Sequence, residues 1–249
     1  MIPIVVGLFG LVVGSFLNVA IQRVPLGRSV VWPSSRCPLC GTPIEVFDNV
    51  PILSYLVLRG RCRNCEGRIS PRYPLVEGLT GLLFGLAAYE FGLSLALVSA
   101  LVLISVLVAL GGIDLEYRLL PNAIVVPAAL VGFALSVAGD PARWWVYLVS
   151  AFGMAAGLFA LALAYPGGMG MGDVKMGGML GAFLVPYAAL TVFLGAFLGS
   201  IVGSLLVATG RIQRHSGLPF GAFLAVASVF TLFLGREVWG SYLRLAVGA

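Results

Sequence analysis

The sequence predicts an all-α polytopic membrane protein of about eight transmembrane helices, with a small zinc-ribbon-like cytosolic domain inserted after the first helix. Three observations carry that expectation. Of 249 residues, 60% are hydrophobic and only 10% charged, against roughly 25% charged in a soluble domain, and the mean hydropathy is +1.05. Eight apolar runs follow one another along the chain, each poor in charge. The one long polar stretch, 23–73, holds all four cysteines and eight of the arginines. A soluble enzyme, a nucleic-acid-binding domain and a disordered linker are excluded at once, and the 33 glycines suit helices that approach closely in lipid.

The apolar runs cover 2–22, 74–92, 93–113, 123–139, 143–165, 174–187, 188–208 and 219–235. At roughly 20 residues per span these suffice for eight crossings. The first has no basic residues before it and Arg23 after it, so it reads as an anchor with its N-terminus outside and not as a cleaved signal. The run 174–187 is short, glycine-rich and ends at Pro186, which fits a half-helix or re-entrant segment as well as a span. Threaded from outside, the spans place 12 of the 15 basic residues on the cytoplasmic side and three (Arg143, Arg236, Arg244) on the other, as the positive-inside rule requires. The expected division is 1–22 as first helix, 23–73 as cytosolic domain and 74–249 as membrane domain. No internal repeat of the transporter kind is visible.

Cys37-Pro-Leu-Cys40 and Cys62-Arg-Asn-Cys65 are two Cys-x-x-Cys knuckles separated by 21 residues. Four such thiolates can enclose Zn²⁺ tetrahedrally, with no position left open for catalysis. Redox or free thiols, and a catalytic metal, are the competing readings; a pair of disulfides is disfavoured by a reducing cytoplasm.

Two carboxylates stand at span ends. Asp114 follows a long apolar run, and Asp173, in Gly170-Met-Gly172-Asp173, precedes another. Ionisable groups at membrane depth are costly and point to function. The bland reading of Asp173 is a helix cap; that of Asp114 is a salt bridge to Arg118. The functional reading is a dyad sharing one proton, one carboxylate activating water and the other protonating the scissile amide. Gly170, Gly172 and Lys175 form the candidate substrate loop, the glycines letting an extended backbone come close. Helix-end electrostatics makes Asp173, at a helix N-terminus, the expected ionised base, and Asp114, at a C-terminus, the expected acid. The single His215 is expected to be exposed and not catalytic.

Five segments together resemble the type IV prepilin peptidase family, the prepilin leader peptidase/N-methyltransferases, over nearly the whole chain. They are GSFLNVAIQRVP (14–25), RCPLCGTPIEVFDNVPILSYLVLRGRCRNCEGRISPRYPLVE (36–77), IDLEYRLLPN (113–122), GMGMGDVKMGGMLGAF (168–183) and LPFGAFLA (218–225). The resemblance implies that Asp114, seven residues before Pro121, and Asp173 are the catalytic pair. It implies cleavage of the basic leader from prepilins or pseudopilins, substrates with an apolar N-terminal helix, at the cytoplasmic face of the bacterial inner membrane. It further implies N-methylation of the new terminus from S-adenosylmethionine, an activity associated with the Cys-bearing region, which this chain keeps. Gln22, Asn122 and Ala222 depart from the family pattern without touching the Asp pair. The alternatives are a peptidase that does not methylate, a polytopic transporter with a zinc-stabilised cytosolic domain, and a non-catalytic assembly scaffold.

Overall fold

The computed structural model describes residues 1–165, 168–211 and 217–247. His215 lies outside the described residues. Among the described residues every long element is a helix, and strand pairing is limited to two isolated bridges. The helices are α1 (Ile2–Arg23), the short α2 (Leu53–Val57), α3 (Arg72–Phe91), α4 (Leu95–Tyr117), α5 (Asn122–Gly139), α6 (Trp144–Ala164), α7 (Met171–Phe183), α8 (Ala188–Ala208) and α9 (Phe220–Val247). A helix thus stands at each of the eight apolar runs. Six of them are long and apolar enough to cross a bilayer. The two that are not are α3, which carries Arg72, Glu77 and Glu90, and α7, whose 13 residues reach only about 20 Å. The last helix runs beyond the expected apolar end at 235, to Val247.

Two compact units divide after Leu97, within the first turn of α4. The sequence boundary at 73/74 therefore differs from the packing, because α3 pairs with α1. That pairing is made by small residues. A Cβ on Gly10 would lie 2.8 Å from the Phe84 side chain and 2.9 Å from the Gly81 backbone, and one on Gly14 would lie 2.7 Å from the Glu77 backbone. Helix axes this close gain dispersion contacts that larger residues would forbid. Asn18, buried in the same seam, donates to the carbonyls of Gly14 (3.4 Å) and Tyr73 (3.1 Å).

In the second unit, α7 is the innermost element. Met176, Met179 and Leu180 are fully buried and pack with Leu107 and Leu110 of α4, Val125 of α5 and Leu224 of α9. Its glycines admit α6: a Cβ on Gly181 would sit 2.6 Å from the Ser150 carbonyl oxygen. Ser136 of α5 donates to the Ala182 carbonyl at 2.9 Å. The short helix is therefore held by its neighbours on several sides, which fits a chain whose half-helix need not meet lipid at both ends.

Candidate active site and metal centre

Asp114 sits in the last turn of α4 and is 5% exposed. Its Oδ2 accepts the backbone N–H of Ala222 at 2.9 Å, and the N–H of Gly221 also faces it. Both donors belong to the first turn of α9, where backbone N–H groups have no partner within their own helix. The backbone N–H groups of α9 act on this carboxylate more strongly than Arg118 does, so the competing reading of a salt bridge to Arg118 does not account for its placement.

Asp173 lies in the first turn of α7, and its Oδ2 accepts the N–H of Gly170 at 3.1 Å. Lys175 does not pair with Asp173; its Nζ donates to Asn122 Oδ1 at 2.9 Å, tying α7 to the start of α5. The charge of Asp114 reaches Asp173. Between their neighbourhoods stands buried Leu120: a Cβ on Gly172 would lie 2.9 Å from Leu120 Cβ, and one on Gly221 would lie 3.0 Å from both its methyls and 3.1 Å from Asp114 Oδ2. The room beside Gly172 is thus filled by Leu120, where the sequence suggested space for a substrate backbone; Gly170 borders the Asp173 carboxylate.

One expectation is corrected here. The end of its own helix made Asp114 appear to face a negative dipole, but its carboxylate is turned to the N-terminus of α9. Both aspartates rest on helix N-termini, and helix-end electrostatics no longer assigns acid and base. The α9 contribution was missed because it comes from backbone atoms 108 residues away. The Leu218–Ala225 segment stood out only as a match, with no side chain to announce its part.

The four cysteines come together in the first unit. Their Sγ atoms all lie within 4.8 Å of one another, and those of Cys37 and Cys65 are 3.8 Å apart. Tetrahedral coordination at a Zn–S distance of about 2.3 Å puts sulfurs about 3.8 Å apart, so the donor set fits such an ion. Each knuckle has the same backbone scaffold. Cys37 N–H donates to Thr42 O and Gly41 N–H to Cys37 O; Cys62 N–H donates to Gly67 O and Glu66 N–H to Cys62 O, all at 2.9–3.0 Å. The left-handed position is Gly41 (φ +71°) in the first and Glu66 (φ +55°) in the second. Bonds from Thr42 lower the Cys40 thiol to about 6. At Cys65 the Gly67 N–H acts downward, but desolvation and the three neighbouring sulfurs outweigh it and push that thiol up to about 11. Such a cluster invites a cation to neutralise it. Asp48, held below the usual carboxylate range by Arg63, takes a two-pronged bond from that guanidinium at 2.6 and 2.8 Å, fixing the loop between the knuckles to the second one.

Residues 8–91 match the bacterial peptidase A24 N-terminal domain and residues 101–206 match the type IV leader peptidase family. Proteins named prepilin leader peptidase/N-methyltransferase are similar along the chain. That of Bacillus subtilis is 34% identical over 97% of this chain and 98% of its own length. The chain belongs to the type IV leader peptidase family. The Neisseria gonorrhoeae relative is 33% identical over 92% of this chain and 90% of itself. The Myxococcus xanthus relative is 45% identical over 81% of this chain, a stretch that spans 62% of that longer protein. No solved structure matches. The two family matches fall on either side of the packing boundary at Leu97: the cysteines lie in the N-terminal match, and the two aspartates in the leader peptidase match.

Proposed function

We propose that this leader peptidase family member is a bifunctional membrane enzyme. It cleaves the basic leader of type IV prepilins or pseudopilins at the cytoplasmic face of the inner membrane and N-methylates the residue so exposed. The observation that carries the proteolytic half is the pair Asp114 and Asp173, on separate helices, with Gly221 beside the first and Gly172 beside the second both packing on Leu120. The first carboxylate is braced by the N–H groups of Gly221 and Ala222 and the second by that of Gly170. Two such carboxylates share a proton. One takes a proton from the attacking water as oxygen bonds to the scissile carbonyl carbon; the other gives its proton to the departing amide nitrogen as the C–N bond breaks. Bracing by backbone N–H groups keeps both oriented without a mobile side chain. Gly170 stands at the N-cap of α7 and Gly172 and Lys175 lie in its first turns, where the sequence suggested a loop, and Lys175 holds this end of the helix to Asn122.

The names of the relatives support the methylating half. S-adenosylmethionine supplies a methyl group carried on a sulfonium sulfur. In this reading Cys37, Cys40, Cys62 and Cys65 hold a structural Zn²⁺ that orders 23–73, the region associated with methylation, and the helices after it carry proteolysis. The N-terminus lies outside, with the cysteine segment and both aspartates on the cytoplasmic side, as the distribution of basic residues supports. The test is the mass of the mature N-terminus after incubating purified protein with a prepilin, with and without S-adenosylmethionine. The reading expects leader loss in both and a methyl increment only with the donor. Leader loss with no increment reduces it to a peptidase, and an uncut prepilin rejects it.

A further inference from the structure

The C-terminal half of α1 belongs to neither the aspartate pair nor the cysteine cluster. One side of it seals against α3 through Gly14 and Asn18. Another side borders a cavity of about 320 Å³, lined by Val12, Phe16 and Arg23 from α1 and by Val31, Ser34 and Asn49 from the segment that follows. That volume is within the range of small-molecule sites, about 300–1,000 Å³. Val12 and Phe16 are exposed and stand on a helix long and apolar enough to cross a bilayer, so the flank they form faces hydrocarbon.

Arg23 is the one charged side chain of the lining. Residues 1–44 hold Arg23, Arg28 and Arg36 and no Asp or Glu. Behind Ser15 the buried Glu77 carboxylate is engaged elsewhere, accepting the Ile52 N–H at 2.7 Å and the Ser15 hydroxyl. Arg23 donates instead to neutral carbonyls, from Nη1 to Ser29 (3.1 Å) and Pro33 (2.7 Å) and from Nη2 to Ser34 (3.4 Å). These bonds fix the loop and leave the charge uncompensated. They use three of the five guanidinium donors; among the described residues the Nε–H and one Nη2–H remain. The Ser29 hydroxyl accepts the N–H groups of Val31 and Trp32 at 3.2 Å each, and both of those side chains are exposed. An aliphatic and an indole side chain are thus held outward just past the end of a membrane span, at the headgroup level where Trp is favoured.

We infer that this cavity binds an anionic phospholipid, with the phosphate on Arg23 and one acyl chain along Val12 and Phe16. One guanidinium, no carboxylate and an apolar flank select a ligand that is negative at one end and hydrocarbon at the other. The leaflet beside the end of α1 presents that molecule at high local concentration, and basic pockets beside membrane helices recognise lipid headgroups in this way. Ser34 and Asn49 carry side-chain donors for the remaining phosphate and glycerol oxygens. A soluble phosphate would leave Val12 and Phe16 uncovered, and the basic leader of a prepilin would meet the charge of Arg23 with no counter-ion between them. Ser34 stands three residues before Cys37, so the lipid ties α1 to the chain entering the first cysteine knuckle. It is a structural ligand of the N-terminal unit, independent of both the proteolytic and the methylating readings.

The test is native mass spectrometry of the full-length, detergent-purified protein supplied with phosphatidylglycerol and phosphatidylcholine of the same acyl chains. Glycerol 3-phosphate serves as the soluble control and circular dichroism as the control of fold. Wild type should retain phosphatidylglycerol at least tenfold over phosphatidylcholine and should not retain glycerol 3-phosphate. Arg23→Gln should erase the preference. So should Ser34→Asp, which sets a negative charge in the lining and keeps the backbone carbonyl that Arg23 uses. Arg28→Gln, outside the lining, should keep it. A wild type without the preference, or a folded Ser34→Asp variant that keeps it, overturns the proposal. An Arg28→Gln variant that loses it equally also does so, by making it an effect of diffuse surface charge. Glycerol 3-phosphate retained as well as the lipid makes this a free phosphate site and overturns the lipid assignment. A wild type with no lipid preference whose binding of a prepilin is lost in Ser34→Asp gives the cavity to the substrate and overturns it likewise.

Discussion

Asp114 shows how much a single carboxylate can owe to backbone far away in the chain. At 5% exposure it is buried enough that its oxygens need partners, and the first turn of α9 supplies them. Gly221 is the residue on which this contact depends, because a methyl group there would lie 3.1 Å from Asp114 Oδ2 and 3.0 Å from Leu120. Gly221→Ala should therefore displace the carboxylate by a few tenths of an ångström while preserving the fold. Leader cleavage should fall about 10- to 100-fold, since small misplacements of catalytic groups are costly. The value to compare is kcat for a prepilin substrate, and an unchanged kcat would show that the α9 turn does not position Asp114. The two aspartates could be picked out from sequence because charge is scarce in apolar runs. Gly221 and Leu120 could not, since an apolar residue in an apolar segment carries no local mark of its task.

At the scale of elements, apolar runs poor in charge located every long helix, and the glycine content announced close packing. Two features were legible only in three dimensions. The pairing of α1 with α3 moves the unit boundary to Leu97, because glycines on both helices match in register. The second cysteine knuckle places Glu66 where the first has Gly41, although Gly67 is the nearby glycine in the sequence. A left-handed conformation costs a residue bearing a Cβ roughly 1 kcal/mol relative to glycine. Glu66→Gly should accordingly stabilise the knuckle by about 1 kcal/mol. Urea titration of the full protein, read by metal release to a colorimetric chelator, should show a higher midpoint for the variant; a lower one would mean that the Glu66 side chain makes a stabilising contact that outweighs its backbone.

For the whole molecule, the division into two units separates the cysteine cluster from the aspartate pair, and the two halves of the proposed activity should respond differently to perturbation. Freshly purified, reduced protein should contain about one Zn²⁺ per chain. Acidification should release it as the thiolates take up protons, and its removal by chelator should depress methylation more than cleavage. Metal analysis finding no zinc, or cleavage lost before methylation, would contradict this arrangement. In the proposed enzyme Asp114 and Asp173 form one catalytic unit. The most direct measurement is leader cleavage by Asp114→Asn, Asp173→Asn and the double variant, each purified from membranes and shown to be folded. Asparagine keeps the shape and cannot exchange the proton. Each single variant should lose essentially all cleavage, and the double variant should lose no more than either one. Near-wild-type cleavage by either single variant would contradict the claim.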